Sequence, residues 1–189
     1  VLEFPIATEE VHRAEADRTS SDAGGDIAIL NPAGGWVTKL WPAENFGLLA
    51  DLIEERLGLR AVLTIGPGED ELAERAVAAS VRKPAVVRTG LKTFYELCRR
   101  ARVYVGGDTG PTHLAVAAGT PLVGIFGPTE WWRNGSPRPA DISVERVDIS
   151  CRVDCHRRTC TAWICMDIPV EAVYQAVARR LSKASKTRV

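Results

Sequence analysis

The feature that most constrains this chain is a regular exchange between two hydrophobic periods. Short apolar runs at residues 27–31 (IAILN), 61–65 (AVLTI), 85–88 (AVVR), 103–105 (VYV) and 122–126 (LVGIF) are separated by segments with a helical period. Apolar residues at successive positions, in runs too short for a helix, read as strands buried on both faces. Between the first two runs, Phe46, Leu49, Ile53 and Leu57 recur three or four apart. Pro42 sits where a first helical turn tolerates it, and Gly58 ends the segment. Further helices are expected at 71–80, 93–101 and 109–118. Strand–helix alternation at this spacing closes as right-handed crossovers, which gives a parallel sheet with helices on both faces. The expected fold class is α/β, Rossmann-like.

The regularity fails after Gly127. Residues 128–143 (PTEWWRNGSPRPADIS) read as loop, and 151–165 show no period. A last helix begins near residue 168, with Val170, Val173, Val177 and Leu181 on one face. Residues 1–26 are expected to be an N-terminal extension, of which the polar stretch 7–26 reads as a short helix or a linker. The compact domain is placed at 27–183, and the basic end 184–189 is expected to fray.

Composition narrows the function classes. The 189 residues suit one ordinary domain. Lys plus Arg and Asp plus Glu each number 24, so the formal net charge is zero. Broad phosphate neutralisation on a nucleic acid would need a basic excess, so no nucleic-acid partner is expected. Apolar residues make up 46% and charged residues 25%, a globular mix. No stretch approaches the ~18 apolar residues of a membrane span. The opening VLEFPIATEE carries acids where a signal peptide needs a basic start. These features predict a cytoplasmic domain without a transmembrane segment.

Ligands of open parallel sheets bind at the carboxyl ends of the strands, and three loops fall there. The first, GGDTGPTH at 106–113, has glycines that admit close approach to the backbone, then a helix start with Pro111. Thr109 is a candidate N-cap. The free amides and helix dipole make an anion site suited to a phosphate or diphosphate, to which Thr109, Thr112 and His113 could donate. Asp108 suits loop amides or sugar hydroxyls better than a phosphate. The plain alternative is a tight capped turn with a surface histidine. The second loop, NPAGGWVTKLWP at 31–42, offers Lys39 as a point charge on a phosphate and Thr38 as a weaker helper. Lys39 could equally be a solvated lysine, and Trp36 and Trp41 read as packing. In the third, IGPGEDEL at 65–72, Glu69 can take the two hydroxyls of a ribose or serve its own helix dipole. Neither a Walker A loop nor a GxGxxG fingerprint is present, which disfavours a nicotinamide cofactor.

The segment GGDTGPTHLAVAAGTPLVGIFGPT (106–129) closely resembles the signature of glycosyltransferase family 9, the ADP-heptose:lipopolysaccharide heptosyltransferases. The resemblance runs from Ile29 to Leu181 and includes GGWVTKLWP, the acid-bearing loop at 65–72 and WWRNG at 131–135. It implies the GT-B architecture, two Rossmann-like domains across a cleft, with this chain as the C-terminal, donor-binding half. By matching position it implies that Asp108, Thr109, Gly110 and His113 line the donor diphosphate and sugar. Lys39 would sit on a phosphate and Glu69 on the adenosine ribose. The implied reaction is inverting transfer of heptose from ADP-heptose to the lipopolysaccharide inner core. Its general base would be an Asp of the N-terminal half, so no catalytic residue is assigned here. The lipid acceptor implies a position at the inner membrane surface, and no cofactor is expected because no Asp-x-Asp motif is present.

Cys151, Cys155, Cys160 and Cys165 follow the pattern C-x3-C-x4-C-x4-C. This is not the paired C-x2-C of most structural zinc sites, yet zinc, disulfides and free or partly oxidised thiols all remain open. The resemblance implies a local structural staple. Cys98 reads as a small buried apolar residue. Two other functions stand beside the transferase: another GT-B enzyme such as a nucleotide-sugar epimerase, or a non-catalytic, zinc-stapled nucleotide-binding module.

Overall fold

The computed structural model describes residues 6–22, 26–153 and 155–185. Six strands run in chain order: β1 (Ile27–Asn31), β2 (Arg60–Thr64), β3 (Ala85–Val87), β4 (Val103–Gly106), β5 (Leu122–Phe126) and β6 (Ile142–Glu145). They form one sheet in the order β3-β2-β1-β4-β5-β6, and every pairing is parallel. The pleat sends alternate residues to opposite faces, and both faces are apolar. Ala28, Leu30, Leu63, Val105 and Ile125 face one core; Ile27, Ile29, Val62, Tyr104 and Leu122 face the other.

The helices are α1 (Glu10–Asp22), α2 (Ala43–Leu57), α3 (Asp70–Ala79), α4 (Leu91–Arg100), α5 (Gly110–Ala117), α6 (Trp131–Asn134) and α7 (Val170–Ser185). The first core is covered by α2, α3 and α7, through Phe46, Leu49, Ile53, Ala76, Val173 and Val177. The second is covered by α1, α4 and α5, through Ala16, Phe94, Leu97 and Ala115. Each fully buried Ile, Leu or Phe contributes about 1.5–3 kcal/mol, so the two layers are the main source of stability. Gly58 closes α2 in the left-handed region (φ 67°), where a side chain would be strained. Gly47 answers to a different demand. A Cβ there would stand 2.0 Å from the Ala76 carbonyl oxygen, so α2 and α3 meet backbone to backbone.

Three segments differ from, or extend, the sequence reading. Of the two readings for residues 7–26, a helix is found, and α1 lies on the domain. Its stripe is too polar to announce this. Ala16 is fully buried, Thr8 Oγ1 donates to Glu96 Oε1 (2.5 Å), and Thr93 Oγ1 donates to Glu15 Oε2 (2.8 Å). The expected loop at 128–143 contains α6 and leads into β6. That strand is half-buried at the sheet edge and lacks a continuous apolar run; only Ile142 and Val144 alternating with Ser143 and Glu145 betray it. Ahead of it, Asp141 is the buried node that docks α7. Its Oδ1 accepts the Leu122 N–H (3.1 Å) and Arg180 Nε–H (2.8 Å), and its Oδ2 accepts Ser136 Oγ–H (2.5 Å) and Arg138 Nε–H (2.8 Å). At the carboxyl end α7 continues to Ser185, while residues 186–189 of the expected tail lie outside the described residues.

Candidate functional site

The neighbours β1 and β4 send their connections in opposite directions, to β2 and to β5. The loops leaving their carboxyl ends therefore part and leave a crevice, the usual ligand position in such sheets. A cavity of about 440 Å³ occupies it, lined by Ala33, Gly34, Gly35, Lys39, Glu69, Asp108, Thr109, Gly110, Pro111 and His113. Three loops far apart in sequence thus meet, and six of the eight expected donor-site residues line one space.

Each arrives by a local cause. After β1, the chain makes a 3-10 turn (Val37–Lys39), and Lys39 turns back over the crevice. Its Nζ donates to Asp108 Oδ2 at 2.7 Å, with the two side chains 12% and 10% exposed. The same ammonium lies 4.0 Å from the centre of the Trp36 ring. Trp36 therefore holds a cation, whereas Trp41 is core, donating its indole N–H to the Ile168 carbonyl (2.9 Å). His113 Nε2 is 3.8 Å from Asp108 Oδ1, and its side chain is half-exposed. In the third loop Glu69 stands at the start of α3. Its Oε2 accepts the Gly66 N–H at 2.6 Å and so ties its own loop.

Thr109 occupies the N-cap position of α5 (φ −143°, ψ 166°), and Pro111 falls in the first turn. Its hydroxyl makes no capping bond; Oγ1 is buried without a partner among the described residues. Pro111 has no N–H and the His113 amide donates to the Thr109 carbonyl (3.4 Å), so the Gly110 and Thr112 amides are the first-turn donors left for a ligand.

Two expected residues are placed elsewhere. Thr112 is buried under the pocket, donating to the Gly107 carbonyl (2.5 Å) and lying 3.2 Å from the Tyr104 hydroxyl. Burial pushes the Tyr104 phenol far up, so it stays protonated. Thr38 is 2% exposed and points away, donating to the Arg157 carbonyl at 2.6 Å. Its own carbonyl accepts the Trp163 indole N–H at 2.9 Å. Thr38 is thus the joint between the lysine loop and the Cys-rich segment. Sequence spacing cannot foresee a contact between positions 38 and 157.

The Cys-rich segment lines a second cavity of about 230 Å³ that includes Cys151, Cys155, Cys160 and Cys165. All are free thiols. Among the described residues, no three His, Cys, Asp or Glu side chains are grouped so that they could hold a metal ion. Cys98 is fully buried, as expected, and burial pushes its thiol up.

The first crevice therefore offers one ammonium, one imidazole and the amides at the start of α5 on either side of Pro111, alongside two carboxylates. That set suits a ligand with both diphosphate oxygens and hydroxyls. A six-stranded parallel sheet with helices on both faces and a pocket at its switch point is a Rossmann-like α/β domain, the kind of which GT-B proteins are built.

The comparisons with known proteins specify it further. The profile of glycosyltransferase family 9 (heptosyltransferase) matches residues 3–162. The chain belongs to this family. It is 32% identical over 139 residues to lipopolysaccharide heptosyltransferase 3 of Escherichia coli, covering 70% of this chain and 40% of that one. It is 30% identical over 164 residues to lipopolysaccharide heptosyltransferase 1 of Pseudomonas aeruginosa, covering 85% and 45%. Among solved structures, the glycosyltransferase family 9 protein of Veillonella parvula superposes with a TM-score of 0.77 at 25% identity, over 95% of this chain and 54% of that one. An E. coli heptosyltransferase solved with ADP superposes with a TM-score of 0.63 at 22% identity, over 96% and 52%. The chain thus spans about half the length of these relatives. Among the described residues no helix is long and apolar enough to cross a membrane.

Proposed function

We propose that this chain is the donor-binding half of an inverting heptosyltransferase, and that its crevice takes ADP-heptose for transfer to the lipopolysaccharide inner core. The observation that carries the reading is the meeting of Lys39, Glu69, Asp108 and the α5 amides around one cavity at the switch point. The relative with bound ADP, whose fold superposes here, supports an adenine nucleotide as the donor's leaving group. In this reading the diphosphate lies on the first-turn amides of α5 and on Lys39, Glu69 holds the ribose hydroxyls, and Asp108 turns to the sugar.

As the glycosidic bond breaks, negative charge grows on the diphosphate oxygens. His113 and the α5 amides line the crevice that takes those oxygens, and Lys39 shifts part of its hydrogen bonding from Asp108 to them, which is electrostatic stabilisation by placed donors. The attacking hydroxyl needs a base on the opposite side of the sugar. The proposal assigns that base, and the lipid-linked acceptor at the inner membrane surface, to an N-terminal half. This chain alone then binds donor without turnover.

Calorimetric titration with ADP and ADP-heptose tests the assignment. Lys39→Ala is expected to weaken both, and Asp108→Ala to weaken ADP-heptose. Unchanged affinity in both variants overturns the site; heptose transfer by this chain alone overturns the division of labour. Preference for a UDP-sugar over ADP-heptose would move the protein to another GT-B activity.

A further inference from the structure

The four thiols of the second cavity have no part in the proposed transfer, yet their segment is bonded to the loop that carries Lys39. Cys151 and Cys160 are both exposed, and Cys160 is set apart by its Sγ, which accepts the backbone N–H of Trp163 at 3.3 Å. That bond, a second from the Ala162 N–H and the positive charge of Arg157 hold its thiol below the usual range. Cys165, at the back of the same cavity, is buried and pushed up. Trp163 connects the two sites. It sits at φ 38°, ψ 28°, a left-handed conformation costly for a bulky side chain. What holds it there is at both its ends: its amide on Cys160 Sγ and its indole N–H on the Thr38 carbonyl. Thr38 immediately precedes Lys39.

We propose that Cys160 is a thiol-exchange site for small-molecule disulfides, and that its modification is transmitted through Trp163 and Thr38 to the phosphate-binding Lys39. In the step, the Cys160 thiolate attacks one sulfur of R–S–S–R. A new S–S bond forms, the old one breaks, and R–S⁻ leaves with the electron pair and takes up the proton the thiol released. Cys160 is oxidised and the departing thiol is reduced. The bulk of R and the weaker acceptor that a disulfide sulfur offers release the Trp163 amide, so the strained backbone relaxes and the indole leaves Thr38. A free thiol reverses the exchange.

The transmission rests on the donor-site reading, and the experiment separates the two. The full-length protein is treated with oxidised glutathione, modified cysteines are mapped by mass spectrometry, and ADP affinity is measured before and after. Cys160 is expected to react first. ADP affinity should fall about three- to tenfold, the size of one net hydrogen bond, and recover with reductant. Cys160→Ser should abolish the response, and Trp163→Phe should lower ADP affinity without slowing labelling of Cys160. The proposal is overturned if Cys151 or Cys155 reacts first, or if fully modified Cys160 leaves ADP binding unchanged. It is also overturned if the purified protein carries a thiol-bound metal that blocks all four residues until a chelator is added. Absence of ADP binding by the untreated protein would count against the donor site, while the labelling order would still judge Cys160.

Discussion

Lys39→Ala is the perturbation that bears most directly on the donor site, and its size follows from the geometry. In the free protein the ammonium is shared between Asp108 Oδ2 at 2.7 Å and the Trp36 ring at 4.0 Å. A diphosphate entering the crevice takes over part of that ammonium, gaining a charge-assisted hydrogen bond worth about 1.5–3 kcal/mol. Removing Lys39 loses that bond and also strips Asp108 of its counter-charge. A carboxylate about 4 Å from a phosphate charge then repels it by up to about 4 kcal/mol at an effective dielectric constant near 20. Water entering the emptied lysine site screens much of this. ADP affinity should therefore drop by about 30- to 300-fold, where the lost bond alone accounts for about 12- to 160-fold. The double variant Lys39→Ala with Asp108→Asn should recover part of the loss, because the repulsion goes with the charge. Calorimetry on the four proteins of the cycle, checked for folding by circular dichroism, reads both effects. A Lys39→Ala affinity within twofold of the unaltered protein would refute the phosphate role. A purely additive cycle would refute the pairing argument.

Three further outcomes concern the scaffold. Gly47→Ala places a Cβ against the Ala76 carbonyl oxygen, so it should destabilise by about 1–3 kcal/mol despite the better helix propensity of Ala; a raised denaturant midpoint would contradict this. Asp141→Ala strands Arg180 and the Leu122 N–H in a buried setting and should cost about 3–5 kcal/mol, read as a lower Tm; a loss under 1 kcal/mol would show the node to be dispensable. Glu96 of α4 accepts from Thr8, just ahead of α1. Burial raises its pKa, but hydrogen bonds from Thr8 and Arg100 and the charges of Arg99 and Arg100 outweigh that and hold it below the usual value. A depressed folded pKa means stability that is complete above the ordinary glutamate range and lost as pH falls through the folded value. Denaturant melts of Glu96→Gln and the unaltered protein should therefore converge at acid pH, and a constant difference down to the most acid point would contradict this.

The parts of this molecule that could be read from the sequence are those where one physical cause dominates. β1, β2, β4 and β5 are buried on both faces, so each announces itself as an apolar run, and their alternation with helices leaves one sheet class. The loops at their carboxyl ends follow from that sheet, which is why Lys39, Glu69, Asp108, Thr109, Gly110 and His113, which line one cavity, are legible together in the sequence. Where stability comes from polar contacts, the pattern falls silent. Helix α1 is held by Glu15, Asp17 and Glu96 and has no apolar stripe; β6 is an edge strand anchored by Asp141. Thr38 and Thr112 mark a subtler limit. A hydroxyl beside a phosphate loop looks like a donor to the ligand, but Thr112 spends its hydrogen bond on the Gly107 carbonyl and Thr38 on the Arg157 carbonyl. Sequence tells which side chains can donate; only the fold decides to whom. That difference gives the Cys-rich segment its place, because Thr38, turned away from the crevice, is what joins that segment to the lysine within it.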